Sequence, residues 1–228
     1  MGLHHSPRIV TDGLVLCLDA ADKNSYPGSG TTWTDLSGQG NNGTLQNGPT
    51  FITENGGGFS FDGTNDYAST TVLSLSSPSA ITVECMVKFR GTLDSNDRKI
   101  MHYDKTGTNN AVFQLRKGDT NSRLMYQHHD GTSWHTLSDD DAIESDTWTH
   151  FLVTHSGTTG VMYKNGAQSA NATISTLDWT NANNVIIGWR ASDEYWKGDI
   201  AFLKLYTRAL TATEIQQNYN ATKTRFGL

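Results

Sequence analysis

The sequence predicts an all-β protein built as a sandwich of two packed sheets, and the stretch from Trp148 to Gly166 is the main reason. It contains two β-rich runs separated by a Ser-Gly-Thr turn, and it ends in Asn165-Gly166. This pair suits a two-residue hairpin turn because both central residues need positive φ. A hairpin cannot bury both of its faces by itself, so such strand pairs belong to stacked sheets. The chain also has 22 glycines and only four prolines, which is typical of many tight turns between short strands.

Apolar patterning predicts the other strands along the chain. Leu14–Leu18 is apolar on both faces and suits a covered strand, whereas Ile81–Phe89 alternates and has a single apolar face. Two strands joined by an Asp/Gly/Asn turn are predicted within residues 58–69. Further strands are predicted at 99–103, 111–116, 123–128, 185–189 and 198–206.

Two segments are predicted as loops. Residues 23–50 are rich in turn-forming residues, and Trp33 and Leu36 are the expected anchors of this long excursion. Residues 138–146 read S-D-D-D-A-I-E-S-D, which predicts an acidic loop.

One helix is predicted near the end of the chain. Thr211 and Glu214 form a capping box, in which the Thr hydroxyl accepts from the N3 amide and the Glu carboxylate accepts from the cap amide. Leu210 and Ile215 occupy the two staple positions, and Ile215 and Tyr219 share one helix face. We therefore expect the helix to lie against the sandwich.

The length of 228 residues fits one all-β domain. The sequence shows no internal repeat and no linker between domains. We expect an N-terminal arm over residues 1–12, a single sandwich domain over 13–222 and a short tail over 223–228.

Composition excludes several classes of protein. The formal net charge of −6 and the pI of about 5.7 argue against a nucleic-acid-binding surface, which needs a basic stripe. No apolar run reaches 18 residues, so no membrane span is predicted, and the N-terminus lacks the apolar region of a signal peptide. Cys17 and Cys85 are too few for a disulfide framework and are expected to be buried small hydrophobic residues, with a single disulfide as the alternative.

Seven motifs follow one another along nearly the whole chain. They are D-G-L-V-L-C-L-D at 12–19, W-T-D-L-S-G-Q-G-N-N-G at 33–43, F-D-G-T-N-D-Y at 61–67, I-T-V-E-C-M-V-K at 81–88, W-T-H-F-L-V-T-H at 148–155, V-M-Y-K-N-G at 161–166 and G-D-I-A-F-L-K-L-Y-T-R-A-L-T-A-T-E-I at 198–215. Together they resemble the laminin G-like, concanavalin A-like lectin/glucanase superfamily. The resemblance implies a two-sheet antiparallel jelly roll with one concave and one convex face.

The two ends of the chain extend the resemblance. H-S-P-R-I-V-T-D-G-L at 5–14 and N-Y-N-A-T-K-T-R-F-G-L at 218–228 are similar to stand-alone members of marine phage and bacterial origin. By association with these members, we expect a non-enzymatic protein of the virion surface, such as a capsid decoration or fibre-type protein. It would dock onto capsid or other virion proteins, and a homo-oligomer is left open. The alternative is a carbohydrate-binding adhesin module of a bacterial surface or secreted protein.

Catalysis is not expected. A retaining glucanase needs two carboxylates about 5 Å apart, and laminarinase-like members carry them in a Glu-x-Asp-x-x-Glu pattern. None of the five glutamates begins that pattern. Glu84 is predicted on a strand face with Met86 and Lys88, and Glu214 is used in the helix cap. A glycoside hydrolase is therefore the least favoured alternative.

Calcium is the metal candidate because oxygen ligands are abundant. The resemblance implies a calcium ion that bridges the first and last strands and is bound by an Asp of the last strand. Ala201 occupies that position here, and the neighbouring Asp199 would face the other side of the sheet. The remaining candidate ligands are Asp19, Asn41 and Asn42.

Glycan binding would use exposed aromatic side chains, because sugar rings stack on them while polar groups bind the hydroxyls. One group of candidates comes from residues 189–196 and a second from the predicted strand and loop at 126–135. The candidates are His128, Trp134, Trp189, Arg190, Tyr195 and Trp196. The alternative for Trp189 and Trp196 is that they cover the edges of the core.

Overall fold

The computed structural model describes residues 8–107, 111–118, 122–190 and 193–228. These residues form two eight-stranded sheets packed face to face, which we call sheet A and sheet B, and one helix. Neighbouring strands within the described ranges pair antiparallel throughout. The predicted all-β jelly-roll sandwich with one short C-terminal helix is confirmed. Of the predicted arm, residues 1–7 lie outside the described part of the chain.

The elements follow the chain in a simple order. The strands are β1 (Leu14–Asp19), β2 (Thr32–Trp33), β3 (Gly43–Gln46), β4 (Thr50–Ile52), β5 (Gly58–Asp62), β6 (Tyr67–Val72), β7 (Ala80–Phe89), β8 (Arg98–Lys105), β9 (Ala111–Lys117), β10 (Arg123–His129), β11 (Trp134–Ala142), β12 (Thr149–Ser156), β13 (Thr159–Lys164), β14 (Ala167–Thr173), β15 (Ala182–Ile187) and β16 (Lys197–Tyr206). Helix α1 spans Ala212–Thr222, and short 3-10 turns lie at Glu54–Gly56 and Lys223–Phe226. This helix and these turns are too short and polar to cross a membrane.

Each sheet mixes strands from distant parts of the chain. Sheet A has the order β14-β13-β12-β7-β16-β5-β4, and β1 also pairs with β16. Sheet B has the order β11-β10-β9-β8-β15-β6-β3-β2. In sheet A, Gly198 brings β16 close to β7, since a Cβ atom at this position would lie 2.1 Å from the Lys88 carbonyl oxygen.

The core fills the space between the sheets. The predicted inward face of Ile81–Phe89 is confirmed, because Val83, Cys85 and Val87 are buried in this core. Sheet B contributes rings such as Tyr103, which stacks on Phe113 at 5.7 Å. Both cysteines are buried and unpaired.

Helix α1 lies on the outer face of sheet A. Its capping box is present as predicted, since the Thr211 hydroxyl accepts from the Glu214 amide and the Glu214 carboxylate accepts from the Thr211 amide at 2.8 Å. Ile215 packs with Leu210 in an apolar cluster beneath the helix. At the helix end, Phe226 packs against Phe202 on the same face of the sheet.

The turn at Asn165-Gly166 and the anchor at Trp33 are confirmed, but the predicted loop at 23–50 is wrong in part because it contains strands β2 and β3 of sheet B, and two other element boundaries are wrong. Asn165 and Gly166 both have positive φ and join β13 to β14, and Trp33 anchors the long 23–50 excursion from within the core. The predicted acidic loop at 138–146 is instead strand up to Ala142, because Lys164 binds the Asp139 carboxylate at 3.0 Å and the following aspartates face solvent. The predicted strand at 185–189 ends at Ile187, since the chain turns at Gly188 with φ of +84°.

Candidate functional site

A row of side chains crosses the outer face of sheet B at one level. Strand pairing places its members side by side on six neighbouring strands, and they are Ser69, Ile186, His102, Gln114, Gln127 and Thr136 in order across the sheet. We call this set the polar row, although Ile186 is apolar. The row faces outward because the flanking Tyr103, Phe113 and Tyr126 belong to the core and side chains alternate along a strand. With strands about 4.8 Å apart, the row is roughly 24 Å long.

Hydrogen bonds fix the two glutamines of the polar row. Gln127 Oε1 accepts from Gln114 Nε2 at 2.6 Å and from Arg116 Nη1 at 2.8 Å. Gln127 Nε2 in turn donates to Thr136 Oγ1 at 2.8 Å. The amide of Gln114 is therefore oriented with its oxygen free of these contacts.

Four charged side chains form a cluster beside the polar row, and we call them the ion cluster: Asp97, Lys99, Arg116 and Glu194. Asp97 Oδ2 lies 2.6 Å from Lys99 Nζ and 2.9 Å from Arg116 Nη1. Lys99 Nζ also lies 3.5 Å from Glu194 Oε1, so one buried ammonium holds two carboxylates. The Lys99 amide donates to the Glu194 carbonyl at 3.2 Å, which ties the segment after β15 to β8.

Aromatic rings stand at both sides of this surface. On one side Trp189 stacks on Tyr195 with ring centroids 5.7 Å apart and packs against Tyr67 at 5.2 Å. On the other side the Arg190 guanidinium lies over the Trp134 ring at 5.1 Å. Each of these five side chains is partly exposed. The polar row thus has the rings of Tyr67, Trp189 and Tyr195 on one side and the Trp134 ring on the other.

His102 occupies the middle of the row and is only 1% exposed. Burial lowers the pKa of His102, and the Asp104 carboxylate 3.6 Å from Nε2 offsets this only in part. The ring is therefore neutral at pH 7. Its Nδ1 atom makes no hydrogen bond within the described residues.

Six unpartnered polar atoms lie on this face. Each is shielded from bulk water and has no hydrogen-bond partner in the described part of the chain, and the atoms are Asp97 Oδ1, His102 Nδ1, Gln114 Oε1, Arg116 Nε, Trp189 Nε1 and Glu194 Oε2. Buried polar groups are normally paired, because an unpaired one loses its hydration without compensation. These six atoms are grouped around the polar row.

Comparison with known proteins identifies the family. The profile of the concanavalin A-like lectin/glucanases superfamily matches residues 62–216. The chain belongs to this superfamily. A comparison with curated proteins finds no match.

Solved structures share the fold of this superfamily domain at low sequence identity. The receptor-binding domain of botulinum neurotoxin type G is 16% identical with a TM-score of 0.69, and the alignment covers 91% of this chain and 51% of that one. The botulinum neurotoxin serotype D binding domain is 16% identical with a TM-score of 0.73, and the alignment covers 92% of this chain and 51% of that one. The Trypanosoma rangeli sialidase in complex with the inhibitor DANA is 15% identical with a TM-score of 0.69, and the alignment covers 95% of this chain and 35% of that one. This chain spans about half the length of the toxin domains it matches.

Four of the six residues suggested for ligand binding in this superfamily domain lie on the described face. Trp189, Arg190 and Tyr195 come from the segment after β15, and Trp134 is the first residue of β11. The sequence predicts both groups as binding residues but not the contact between Arg190 and Trp134.

Trp196 does not lie on the described face. Its side chain is fully buried and packs edge-on against Phe89 at 5.8 Å. The Trp196 amide donates to the Gly188 carbonyl, so the chain re-enters the sandwich here and points the ring into the core. The alternative interpretation, a ring that covers the core, is correct for this residue.

His128 also lies away from the described face, because its ring is buried between the sheets. It stacks on His135 at 5.1 Å and meets His155 edge-on at 4.8 Å. Tyr126, two residues earlier, also points inward and binds His155 Nδ1 at 2.7 Å. The outward residue of this strand is Gln127, one position away, and alternation along the strand is the signal that identifies it.

The calcium candidates are engaged in other interactions. Asp19 binds the Arg225 guanidinium at 2.8 Å, which already compensates its charge. Asn41 donates to the Val15 carbonyl, and Asn42 accepts from the Asp35 amide. Within the described ranges, no three His, Cys, Asp or Glu side chains are grouped to hold a metal ion.

Glu84 lies on the opposite side of the molecule from the polar row, buried under α1. Lys204 Nζ lies 2.9 Å from its carboxylate, His150 Nε2 lies at 3.1 Å and Asn218 donates at 2.7 Å. Burial acts to raise its pKa, but the Lys204 charge and the His150 contact outweigh it and lower the pKa of Glu84 to about 2. A sugar has no access to this carboxylate.

Proposed function

We propose that the protein is a non-enzymatic glycan-binding module, that the outer face of sheet B is its binding surface, and that it is displayed on a virion. The observation that carries the proposal is the polar row with aromatic side chains on both of its sides. Sugars have apolar ring faces and polar edges, so they suit a surface on which rings and hydrogen-bonding groups alternate.

The carboxylates of this face support binding rather than hydrolysis. A retaining glycosidase needs one carboxyl that holds a proton and one free carboxylate opposite it. Asp97 and Glu194 instead share the ammonium of Lys99. An ion pair of this kind orients both carboxylates as hydrogen-bond acceptors.

The position of the chain ends supports display on a larger structure. Near the start of the described chain, the Arg8 carbonyl accepts from Gln217 and the Val10 amide donates to Asn218, both on α1. Near the end, Phe226 packs on the outer face of sheet A. Attachment near residues 8–10 or near Phe226 would therefore leave the polar row pointing away from the attachment point. The same geometry serves the alternative, an adhesin module on a bacterial surface, and capsid proteins are the partners expected on a virion.

A glycan array probed with the intact protein tests the binding function. We expect bound glycans, and we expect Trp134→Ala and Trp189→Ala to weaken binding at least tenfold because each removes a stacking surface. Tyr163→Ala on sheet A is the control and should bind like the parent protein. If no glycan binds, the function is wrong.

Particle imaging tests the location separately. Virions prepared with and without the protein are compared by negative-stain electron microscopy and by co-sedimentation. Additional surface density with the protein present supports display on the virion. If the particles are unchanged and the protein stays in the supernatant, the adhesin alternative replaces the virion.

A further inference from the structure

We infer that the outer face of sheet B selects uncharged, hydroxyl-rich glycans over acidic ones, with Asp97, Glu194 and Gln114 as the residues that accept sugar hydroxyls. The inference rests on the proposed glycan-binding function and adds the chemical class of the ligand.

Three of the atoms left without a partner are hydrogen-bond acceptors. Each carboxylate of the ion cluster uses one oxygen on Lys99, which leaves Asp97 Oδ1 and Glu194 Oε2 unpaired. Gln114 Oε1 is the third unpaired acceptor. Three acceptors require three donors, and sugar hydroxyls supply them, whereas the ionised carboxylate or sulfate of an acidic glycan donates none.

The remaining unpaired polar atoms can also form hydrogen bonds with hydroxyl groups. Arg116 Nε and Trp189 Nε1 are donors, and His102 Nδ1 belongs to a ring that is neutral at pH 7. A hydroxyl both donates and accepts, so it can pair with any of these atoms. A neutral imidazole gives no charge attraction to an anion.

Positive and negative charges around the row are equal in number. The basic groups are Lys99, Arg116 and Arg190, and the acidic groups are Asp97, Asp104 and Glu194. The three carboxylates act on the Arg190 guanidinium, which places all of these charges in one region. Equal numbers of the two signs leave no net positive field to attract an acidic sugar, and the unpaired carboxylate oxygens repel one.

Titration calorimetry with matched ligands tests the inference. The neutral probes are cellohexaose, maltohexaose, laminarihexaose and lactose, and the acidic probes are trigalacturonate, 3′-sialyllactose and 6-sulfolactose. We expect at least one neutral probe to bind at least tenfold more tightly than every acidic probe. An acidic probe that binds equally well or better overturns the inference while the glycan-binding function stands. Absence of binding by all probes, together with an empty glycan array, overturns both.

Two variants test the residues themselves. Asp97→Asn and Glu194→Gln keep the shape of each side chain but remove its charge, and we expect about tenfold weaker binding of the neutral probe and a smaller gap to the acidic ones. Asp193→Asn, an exposed neighbour, is the matched control and should change neither affinity. Unchanged affinities in Asp97→Asn and Glu194→Gln would overturn the assignment of these residues.

A third variant guards against misfolding. Asp97 also holds Arg116, so its replacement can disturb the sheet, whereas Gln114→Ala leaves the ion cluster intact. We expect Gln114→Ala to fold with a somewhat lower melting temperature, because it removes a buried side chain and its hydrogen bond to Gln127, and to bind the neutral probe about tenfold more weakly at a temperature where it is folded. Parent-like binding of the neutral probe by this variant would contradict the role of Gln114.

Discussion

The two outer faces of the sandwich carry similar residues but use them differently. On sheet A, Glu84 is buried with Lys204 and His150 beneath α1. On sheet B, Asp97 is paired with Lys99 and Arg116 beside the polar row. Both faces therefore hold an acid next to a buried lysine on central strands.

The difference lies in whether the hydrogen bonding is complete. Both oxygens of Glu84 are bonded, Oε1 to Lys204 and Oε2 to Asn218 of the covering helix, and His150 Nδ1 is the one unpaired atom of this group. On sheet B each carboxylate keeps an unpaired oxygen, and no helix of the described chain covers it. Buried charge is thus structural where its partners come from the protein itself. Where the protein supplies only half of them, as on sheet B, we propose that a ligand supplies the rest.

The largest effect is expected from a substitution that breaks the buried ion pair on sheet A. Glu84→Gln leaves the Lys204 ammonium buried without a counter-charge, and removal of one partner of a buried ion pair costs about 3–5 kcal/mol. Urea unfolding should report this loss in the free energy of unfolding. Glu144→Gln, an exposed glutamate, is the control and should stay within about 0.5 kcal/mol of the parent. A loss below about 1 kcal/mol for Glu84→Gln would mean that the pair on sheet A is not structural.

The next effect tests the interior that separates the two faces. Burial, with smaller contributions from His155 and His135, lowers the pKa of His128 to about 4, while an unfolded histidine titrates near 6.5. A lowered histidine pKa means that the fold favours the neutral ring. Stability is therefore complete above pH 6.5 and falls as the pH drops from there towards about 4.

The size of this effect follows from the two pKa values. At pH 5 the unfolded ring is mostly protonated and the folded ring is not, so His128 alone lowers the free energy of unfolding by about 2 kcal/mol relative to pH 7. His155, whose pKa burial also lowers, adds to the loss. Urea unfolding at both pH values measures it. His128→Gln should flatten the difference, and an unchanged pH dependence in this variant would exclude His128 as its source.

The sequence predicts the fold well because the fold follows from local periodicity. Ile81–Phe89 alternates over nine residues, and its inward face is the core face in the structure. The capping box at Thr211 is equally local, and so is the positive-φ pair at Asn165. Each of these signals lies within one element, so no knowledge of its neighbours is needed.

The candidate site was only half predictable because its members meet across strands. Trp134 and Trp189 stand out as aromatics in turn-rich sequence, but His102, Gln114 and Gln127 come from three strands and look like ordinary polar residues. Register shifts between Lys99 and Met101 and between Arg123 and Met125 also interrupt simple alternation. Sequence distance therefore hides the polar row, and only the strand pairing brings it together.

The smallest effect is expected from a substitution that destabilises helix α1, which covers sheet A, and leaves both ion pairs intact. Thr211→Ala removes the cap of α1, which should lower the free energy of unfolding by about 1 kcal/mol. Thr213→Ala, an exposed threonine in the same helical turn, is the matched control and should be neutral or slightly stabilising because alanine favours helices. Glycan affinity should be unchanged in both variants, since α1 and the polar row lie on opposite outer faces. A weaker affinity in Thr211→Ala at full folding would show that the two faces are coupled through the core, and the contrast between a structural face and a binding face would then no longer hold.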